Sequence, residues 1–598
     1  MRFLAAFGAV TLLYAATPAI DPKLYVDHVK YLASPELRGR ATGTPELEKA
    51  AQYIAGKFKE FGIKPADGKQ YLQPFQVTTS AKPGAKNSFR INSETLKFQQ
   101  DYTPFNFSHS GKLTGAMVFA GYGITAPEYQ YDDYANLDVK GKVVIILRHE
   151  PQESDEKSVF AGKQFTQHAQ FAMKASNAKM HGAAGVIVVN DVPNHKSDED
   201  KLPVFGTVEG PADAGIPFLQ VKEAIASKWF AAAGKTVEGI ISGIDKDLKP
   251  SSFAFPSSLQ LDANVDLERL VKTVHNVTAY LPGTTNEYVI IGAHYDHLGL
   301  GGQFSLAPSQ TGQVHHGADD NASGTSGLIE LARWFSKQPK GKRGVLFLAF
   351  AGEELGLLGS AFWANNPQIP LENAVSMLNM DMIGRAKGGK LFVGGSSTGK
   401  GFRAMLDQIV PKHSALKVDY SEGPQSGSSD HTSFIAKRVP SLFFFSGLHG
   451  DYHKPSDTWD KIEGPTTAKL LEMVADIIDT LREQEGRPEF VKPAVASHGG
   501  SGGDGAPVAG YGAWFGSVPD FAEGVQGVKF ADVTEGSPAQ KAGLKANDVM
   551  VEFDGKKIGN LYDFTYALRG KKAGDEVVVK VIRDGQPLEV KVTLANRR

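Results

Sequence analysis

Apolar residues recur at helical spacing near the start of the chain, first at Leu24, His28, Tyr31 and Leu32 and again at Ala50, Tyr53, Ile54 and Phe58. Steps of three and four put each set on one face, which predicts two amphipathic helices within 21–65, joined by the Gly/Arg/Thr-rich turn from Arg38 to Thr44. From about Gly111 to Phe255 the pattern changes to short β runs, among them Ala116 to Phe119, Lys142 to Leu147 and Gly185 to Val189, with a helix from about Phe171 to His181 before the last. Residues 256–486 alternate near-continuous apolar runs with helical patterns. The runs are Val274 to Tyr280, Tyr288 to Ala293, Val345 to Phe350, Val375 to Met380 and Ser441 to Ser446. Continuous apolar runs mark strands buried on both faces, and the intervening helices, one carrying Leu328, Leu331, Ala332 and Phe335 and another from Thr467 to about Leu481, would cover them. The prediction is an α/β sheet between helical layers.

The two ends read differently. Met1 and Arg2 precede an apolar stretch from Phe3 to Ala16 and then Thr17, Pro18 and Ala19, the pattern of an export signal over 1–19 and too short for the ~20 residues of a membrane helix. A periplasmic or extracellular protein is therefore expected. Near the other end, Ser497 to Pro507 reads SHGGSGGDGAP, so 491–507 is expected to be a linker to a separate module at 508–598. A length of 598 residues fits several domains at ~100–200 residues each.

Charge and composition narrow the chemistry. Lys plus Arg is 64 and Asp plus Glu 66, a formal charge of −2, which leaves no basic footprint for nucleic acid. The chain has no cysteine, so thiol nucleophiles, disulfides and Cys-held metals are excluded and any metal rests on His, Asp and Glu.

In open α/β sheets functional residues gather at the carboxyl ends of strands. Here those ends carry ligand-type side chains: His294-Tyr295-Asp296, Asp319-Asp320-Asn321 before a helix, Glu353-Glu354, Asp381 and Tyr452-His453. A pair of divalent ions needs a bridging carboxylate, terminal His and carboxylate ligands and a free carboxylate as base, and this set supplies all of them. Asp296, two residues from His294, is placed to accept the other imidazole N–H. Spacing alone does not choose between Asp319 and Asp320 as the bridge.

The segments Gly292 to Asp296, Gly317 to Gly324, Ala351 to Gly356, Asn379 to Gly384 and Tyr452 to Thr458 resemble the motifs of the co-catalytic di-zinc exopeptidases, metallopeptidase family twenty-eight, relatives of bacterial leucyl aminopeptidase and glutamate carboxypeptidase. The resemblance implies an α/β fold, a zinc-exopeptidase mixed sheet flanked by helices of the phosphorylase/hydrolase-like kind. It also implies two zinc ions per chain, with Asp320 bridging, His294 and Asp381 completing one ion and Glu354 and His453 the other. Glu353 would be the general base and Tyr452 a hydrogen-bond donor to the oxyanion. Ser429-Asp430-His431 resembles a segment lining the substrate pocket, which makes Asp430 a pocket candidate. His297, His315 and His316 are assigned surface or supporting roles, and His449 a place in a loop.

Residues 111–255 resemble a β-rich protease-associated insert, which splits the peptidase into 20–110 and 256–490. Residues 508–598 resemble a PDZ domain, with Trp514-Phe515-Gly516-Ser517 at the carboxylate-binding loop, so Phe515 and Gly516 would receive a peptide or protein C-terminus. The function implied is an exported zinc aminopeptidase acting on peptides. The competing readings are a carboxypeptidase or dipeptidase of the same family, a glutaminyl-cyclase-like acyltransferase, and a binding scaffold on an inactive peptidase fold.

Overall fold

The computed structural model describes residues 19–491 and 513–596, apart from short stretches within 161–165, 195–210, 302–311, 421–428 and 521–524. Residues 1–18 of the segment expected to be an export leader, and the glycine-rich run at 497–507, lie outside the described residues.

Helix α1 (Pro22–Leu32) starts where the Asp21 carboxylate accepts from the Lys23 N–H and Pro22 presets the first turn. Helix α2 (Pro45–Glu60) starts the same way, on Thr44 and Pro45, and buries Leu47, Ala50, Ile54 and Phe58. Strand β1 (Leu72–Pro83) then leaves the main body.

The insert follows. Its six-stranded sheet includes β2 (Tyr102–Pro104), β3 (Met117–Phe119), β4 (Val143–Leu147), β5 (Gly185–Val189) and β6 (Phe218–Val221), with helix α3 (Phe171–Met180) between β4 and β5. β3, β4, β5 and β6 run parallel, and β2 closes the edge antiparallel to β6. A second sheet joins Ser88–Ile91 and Gly111–Gly115 to Leu261–Val265. The insert therefore gathers chain from outside the expected 111–255 boundaries. Ser88–Ile91 alternates exposed and buried positions, so it makes no apolar run of the kind that marked the other strands.

Strand β7 (Leu267–Leu281) returns to the main body along β1, so one antiparallel ribbon ties the insert to the peptidase sheet. The elements that follow are β8 (Tyr288–His294), α4 (Gly324–Phe335), β9 (Gly344–Phe350), α5 (Leu358–Asn365), β10 (Ala374–Met380), β11 (Lys390–Gly394), β12 (Lys417–Asp419), β13 (Ser441–Phe445) and α6 (Gly464–Glu483). Their order in the sheet is β7-β9-β8-β10-β13-β11-β12. β9, β8, β10 and β13 are parallel, so their carboxyl ends share one edge. Alternate side chains of β8 serve opposite layers: Val289 and Ile291 pack with α1, α2, α4 and α6, while Tyr288 and Ile290 pack with Trp363 and Phe434.

The C-terminal module has β14 (Ser517–Pro519), β15 (Val528–Val533), β16 (Val549–Phe553), helix α7 (Leu561–Arg569), β17 (Glu576–Arg583) and β18 (Gln586–Thr593), with β14 at the end of the sheet. It docks on the insert through a fully buried carboxylate. Asp563 on α7 accepts from Ser176 Oγ at 3.0 Å and from Lys179 Nζ at 2.6 Å, both on α3.

Removing one partner of such a buried pair leaves the other charge uncompensated, at about 3–5 kcal/mol where burial is complete and less where, as here, the ammonium is partly exposed. Lys179→Ala should thus raise amide exchange in α3 and α7 while leaving the core strands β8, β9 and β10 protected. Unchanged exchange in α7 would show that the pair does not hold the module.

Candidate metal centre

The shared strand edge assembles the site. β8 ends on His294, β9 passes through Ala351-Gly352 into Glu353-Glu354, β10 leads into Asp381, and the loop after β13 carries Tyr452-His453. Asp319 and Asp320 do not open a regular helix as their position before α4 suggested. The backbone of Asp320 (φ −104°, ψ 98°) and Asn321 (φ −126°, ψ 43°) is non-helical, and α4 begins at Gly324. The cause is local: Asn321 Oδ1 accepts from the Gly324 N–H at 2.8 Å while its amide donates to the Met380 carbonyl, so the side chain caps the helix from within the turn. Gly317 precedes this turn at φ 57°, and a Cβ there would lie 2.5 Å from the His297 ring, which only glycine avoids.

The two aspartates face opposite ways. Asp319 accepts from the Gly384 N–H at 2.6 Å and meets His449 Nε2 at 3.1 Å, away from the other ligands. Asp320 Oδ1 lies 3.4 Å from His294 Nε2 and its Oδ2 lies 3.1 Å from His453 Nε2. Around it, His294 Nε2 is 3.3 Å from Asp381 Oδ1 and 3.9 Å from Glu353 Oε2, and His453 Nε2 is 3.3 Å from Glu354 Oε2. Two ligand clusters result, His294-Asp320-Asp381 and His297-Asp320-Glu354, and Asp320 belongs to both. His453 reaches the second cluster as well.

Asp296 does more than sequence spacing suggested. Its Oδ1 stands 3.6 Å from His294 Nδ1, a charge contact longer than a hydrogen bond. It also accepts from the Glu353 N–H at 3.2 Å and from Thr42 Oγ1 at 2.8 Å, so it holds the loop that carries the glutamate pair. Asp430, expected along the substrate pocket, is instead fully buried beneath the site, where burial pushes its carboxyl up to about 7. A group with no exposed surface cannot line a pocket.

Of the surface and supporting roles left open for His297 the structure favours the supporting one, and it adds Arg40 and Asp457, to which spacing and composition gave no role. Buried His297 places Nδ1 2.7 Å from Glu354 Oε1 and so stands inside the site rather than on the surface. Arg40, also fully buried, donates to the carbonyls of Leu32, Tyr295, His316 and Gly317 and locks the N-terminal turn to the ligand loops. Burial lowers Arg40 to about 10, against the pull of Asp320 and Asp296. Asp457 accepts from the Asp319 and Asp320 N–H groups and fixes the bridging turn. A lone Arg in a turn carries no sequence signal; Asp457 stood in a recognised motif but without a role.

The electrostatics fit a cationic occupant. Asp320, Glu353, Glu354 and Asp381 converge on one another, and no Lys or Arg pairs with them among the described residues. Burial raises Glu353 well above the usual carboxylate range, with Asp381 and Glu354 adding to the shift against His294. Burial likewise raises Asp320, and neighbouring Glu354 reinforces it. His453 is driven up to about 11 against its burial, chiefly by Glu354. Oxygen and imidazole donors in such numbers, crowded and short of positive charge, fit a pair of divalent ions. Tyr452, stacked on His453 with ring centroids 3.9 Å apart, is held well above its ordinary value by burial and by the carboxylates, so its hydroxyl stays protonated.

Comparison with known proteins agrees with this geometry. Residues 276–478 match the family model of peptidase family M28, residues 110–229 a PA domain and residues 508–594 a PDZ domain. Aminopeptidase YwaD of Bacillus subtilis is 25% identical over 443 residues, covering 68% of this chain and 81% of the relative. An aminopeptidase of Pseudomonas aeruginosa is 25% identical over 427 residues, 69% of this chain and 67% of the relative. The solved structure of BSAP, a zinc aminopeptidase from Bacillus subtilis, superposes with a TM-score of 0.51 at 21% identity, covering 79% of this chain and 98% of that one. Every ligand-type residue at the strand edge lies inside the matched stretch, so residues 276–478 carry a peptidase family M28 domain.

Proposed function

We propose that the protein is an exported di-zinc aminopeptidase that removes N-terminal residues from peptides. The observation that carries the reading is Asp320, shared between two ligand clusters beside a free, partly buried Glu353. His294 and Asp381 would hold one ion, Glu354 and His453 the other, and Asp320 both. His297, hydrogen-bonded to Glu354, orients that ligand. Relatives matched over 68% and 69% of this chain are named aminopeptidases, which favours the amino end of the substrate over the carboxyl end. The leader at 1–19 supports export, and no helix among the described residues is long and apolar enough to cross a membrane. The PDZ domain would receive a peptide or protein C-terminus.

Zinc, when bound, supplies Lewis acidity that polarises a carbonyl and acidifies water. The protein supplies the rest. Glu353, anchored through Asp296 and given high proton affinity by its burial, takes the proton of the attacking water and passes it to the leaving amine. Protonated Tyr452 donates to the oxygen on which charge develops. No thiol takes part, since the chain has none.

Glu353→Gln should lower kcat on leucyl p-nitroanilide by roughly 10²–10⁴, the usual worth of a general base, while elemental analysis still finds close to two zinc ions per chain. Full activity in that variant, or a wild-type protein without zinc, would remove the reading. Tyr452→Phe should lower kcat by about 10²–10³ with little change in KM, as for a donor used only in the transition state. Chelation should abolish activity and lower the melting temperature, and zinc should restore both, since a ligand at ~100 times its Kd adds about 2.7 kcal/mol. Mass spectrometry of a digested peptide library then reports which end is trimmed.

A further inference from the structure

His294 closes β8 and Asp381 directly follows β10, so the sheet itself sets these two ligands. Tyr452 and His453 have no such support, because the loop after β13 that carries them is neither helix nor strand. His453 also sits at φ 54°, in the left-handed region that residues other than glycine seldom occupy. A residue stays in that region only where its surroundings fix it. The loop must therefore be held by contacts from outside.

One guanidinium holds it on both sides of the histidine. Arg385, four residues beyond Asp381, donates from a single nitrogen, Nη2, to Asp451 Oδ2 and to Asp457 Oδ1, each at 3.1 Å. Asp451 lies two residues before His453 and Asp457 four after it, so the two bonds close the turn across its base. Asp457 has no exposed surface, and among the described residues no other Lys or Arg pairs with it. Its second oxygen, Oδ2, accepts from the Asp319 and Asp320 N–H groups at 2.9 and 3.2 Å. Arg385 thus stands behind both partners of the 3.1 Å contact between Asp320 Oδ2 and His453 Nε2: it reaches the bridging turn through Asp457 and the histidine loop through Asp451.

The two sides of this clip depend on it unequally. The bridging turn has anchors that do not pass through Arg385, Asn321 on the Met380 carbonyl and Asp319 on the Gly384 N–H. The histidine loop is tied near its start by His449 on Asp319. Lys461 and Ser456 brace Asp451 from the same stretch of chain, so they stiffen the loop without registering it against the ligand edge. Registration around His453 falls to Arg385.

We propose that Arg385 is a positioning residue that sets the Tyr452-His453 loop against the bridging carboxylate, and thereby sets the affinity for the ion on the side of Glu354 and His453 while the ion on the side of His294 and Asp381 is held without it. This rests on the di-zinc reading and adds that the two ions are held unequally, one by the sheet and the other by a charged clip between loops.

The test titrates metal-free protein with zinc by calorimetry. Groups that position metal ligands are worth about 10–100-fold in affinity. Arg385→Met, which keeps the bulk of the side chain and removes its charge, should weaken one ion by roughly 10–100-fold and change the other by no more than about twofold. Two backgrounds identify the affected ion. On Asp381→Ala, which leaves the His453 side, adding Arg385→Met should reproduce the loss; on His453→Ala, which leaves the other side, it should change little. Arg385→Lys, whose ammonium is again a charge between the two carboxylates, should recover most of the affinity. In metal-free protein Arg385→Met should also speed amide exchange over 447–457 while β8 and β10 stay protected.

Equal weakening of both ions, or no change in either, overturns the inference and leaves a two-zinc wild type standing. Should Arg385→Met fail to fold, Asp451→Asn, which discharges only the loop end of the clip, carries the same comparison: selective loss of the His453-side ion supports the assignment, and its retention overturns it. A wild type that takes up fewer than two zinc ions removes the di-zinc reading and this inference with it.

Discussion

Asp320 faces His294 on one side and His453 on the other, at 3.4 and 3.1 Å, with Glu353, Glu354 and Asp381 packed around them in a buried space. Carboxylates brought this close repel one another and have lost most of their water, so the arrangement is costly unless positive charge is present. The rest of the peptidase domain can be understood as the frame that enforces it. Parallel β8, β9, β10 and β13 bring the donors to one edge, and helices on both faces keep those strands from shifting. The raised Glu353 and Asp320 and the raised His453 are the same crowding seen from each partner.

Enforcement depends on polar contacts behind the ligands as much as on the sheet. Asp457 holds the bridging turn by its N–H groups, Asp296 holds the Glu353-Glu354 loop, and Arg40 joins both regions to the N-terminal turn through four carbonyls. Arg40 gives its hydrogen bonds to carbonyls rather than to the ligand carboxylates, so its charge steadies the loops without occupying a ligand's place. Thr42, in the same turn, donates to Asp296. Helices α1 and α2 and the turn between them are thus part of the site, although they precede the catalytic strands by an entire inserted module.

Much of this was legible in the sequence, for physical reasons. Strands buried on both faces leave continuous apolar runs, and ligands placed where those runs stop are easy to see, so β8, β9, β10 and β13 and the residues that follow them were readable. Helices α1 and α2 declared themselves by the spacing of their apolar residues. What escaped depended on contacts distant in the chain. Three of the four carbonyls that Arg40 holds lie 255–277 residues away, and no local pattern records that. Asp430 sits in a segment that resembles a pocket wall, yet burial is set by packing and not by motif. The insert's outer strands failed to register because one-sided alternating strands are weak signals beside apolar runs. His297 looked surplus because both ions already had enough ligands, and its role in orienting Glu354 is visible only as a distance.

The two added modules are attached in different ways, and the difference sets how firmly each is held to the peptidase domain. The insert leaves and re-enters through β1 and β7, paired from Leu72 to Pro83, and β7 continues into the central sheet. A ribbon paired over that length transmits position with little freedom to hinge, so the insert is effectively an extension of the peptidase. Among the described residues the PDZ domain shares no strand with either neighbour; side chains tie it to them, Asp563 against α3 and Asp520 against Asn365. Ties of that kind break at a few kcal/mol, well below the stability of a sheet. The insert is therefore held by continuous strand pairing, and the PDZ domain by a few side-chain contacts that the stability of the central sheet does not depend on.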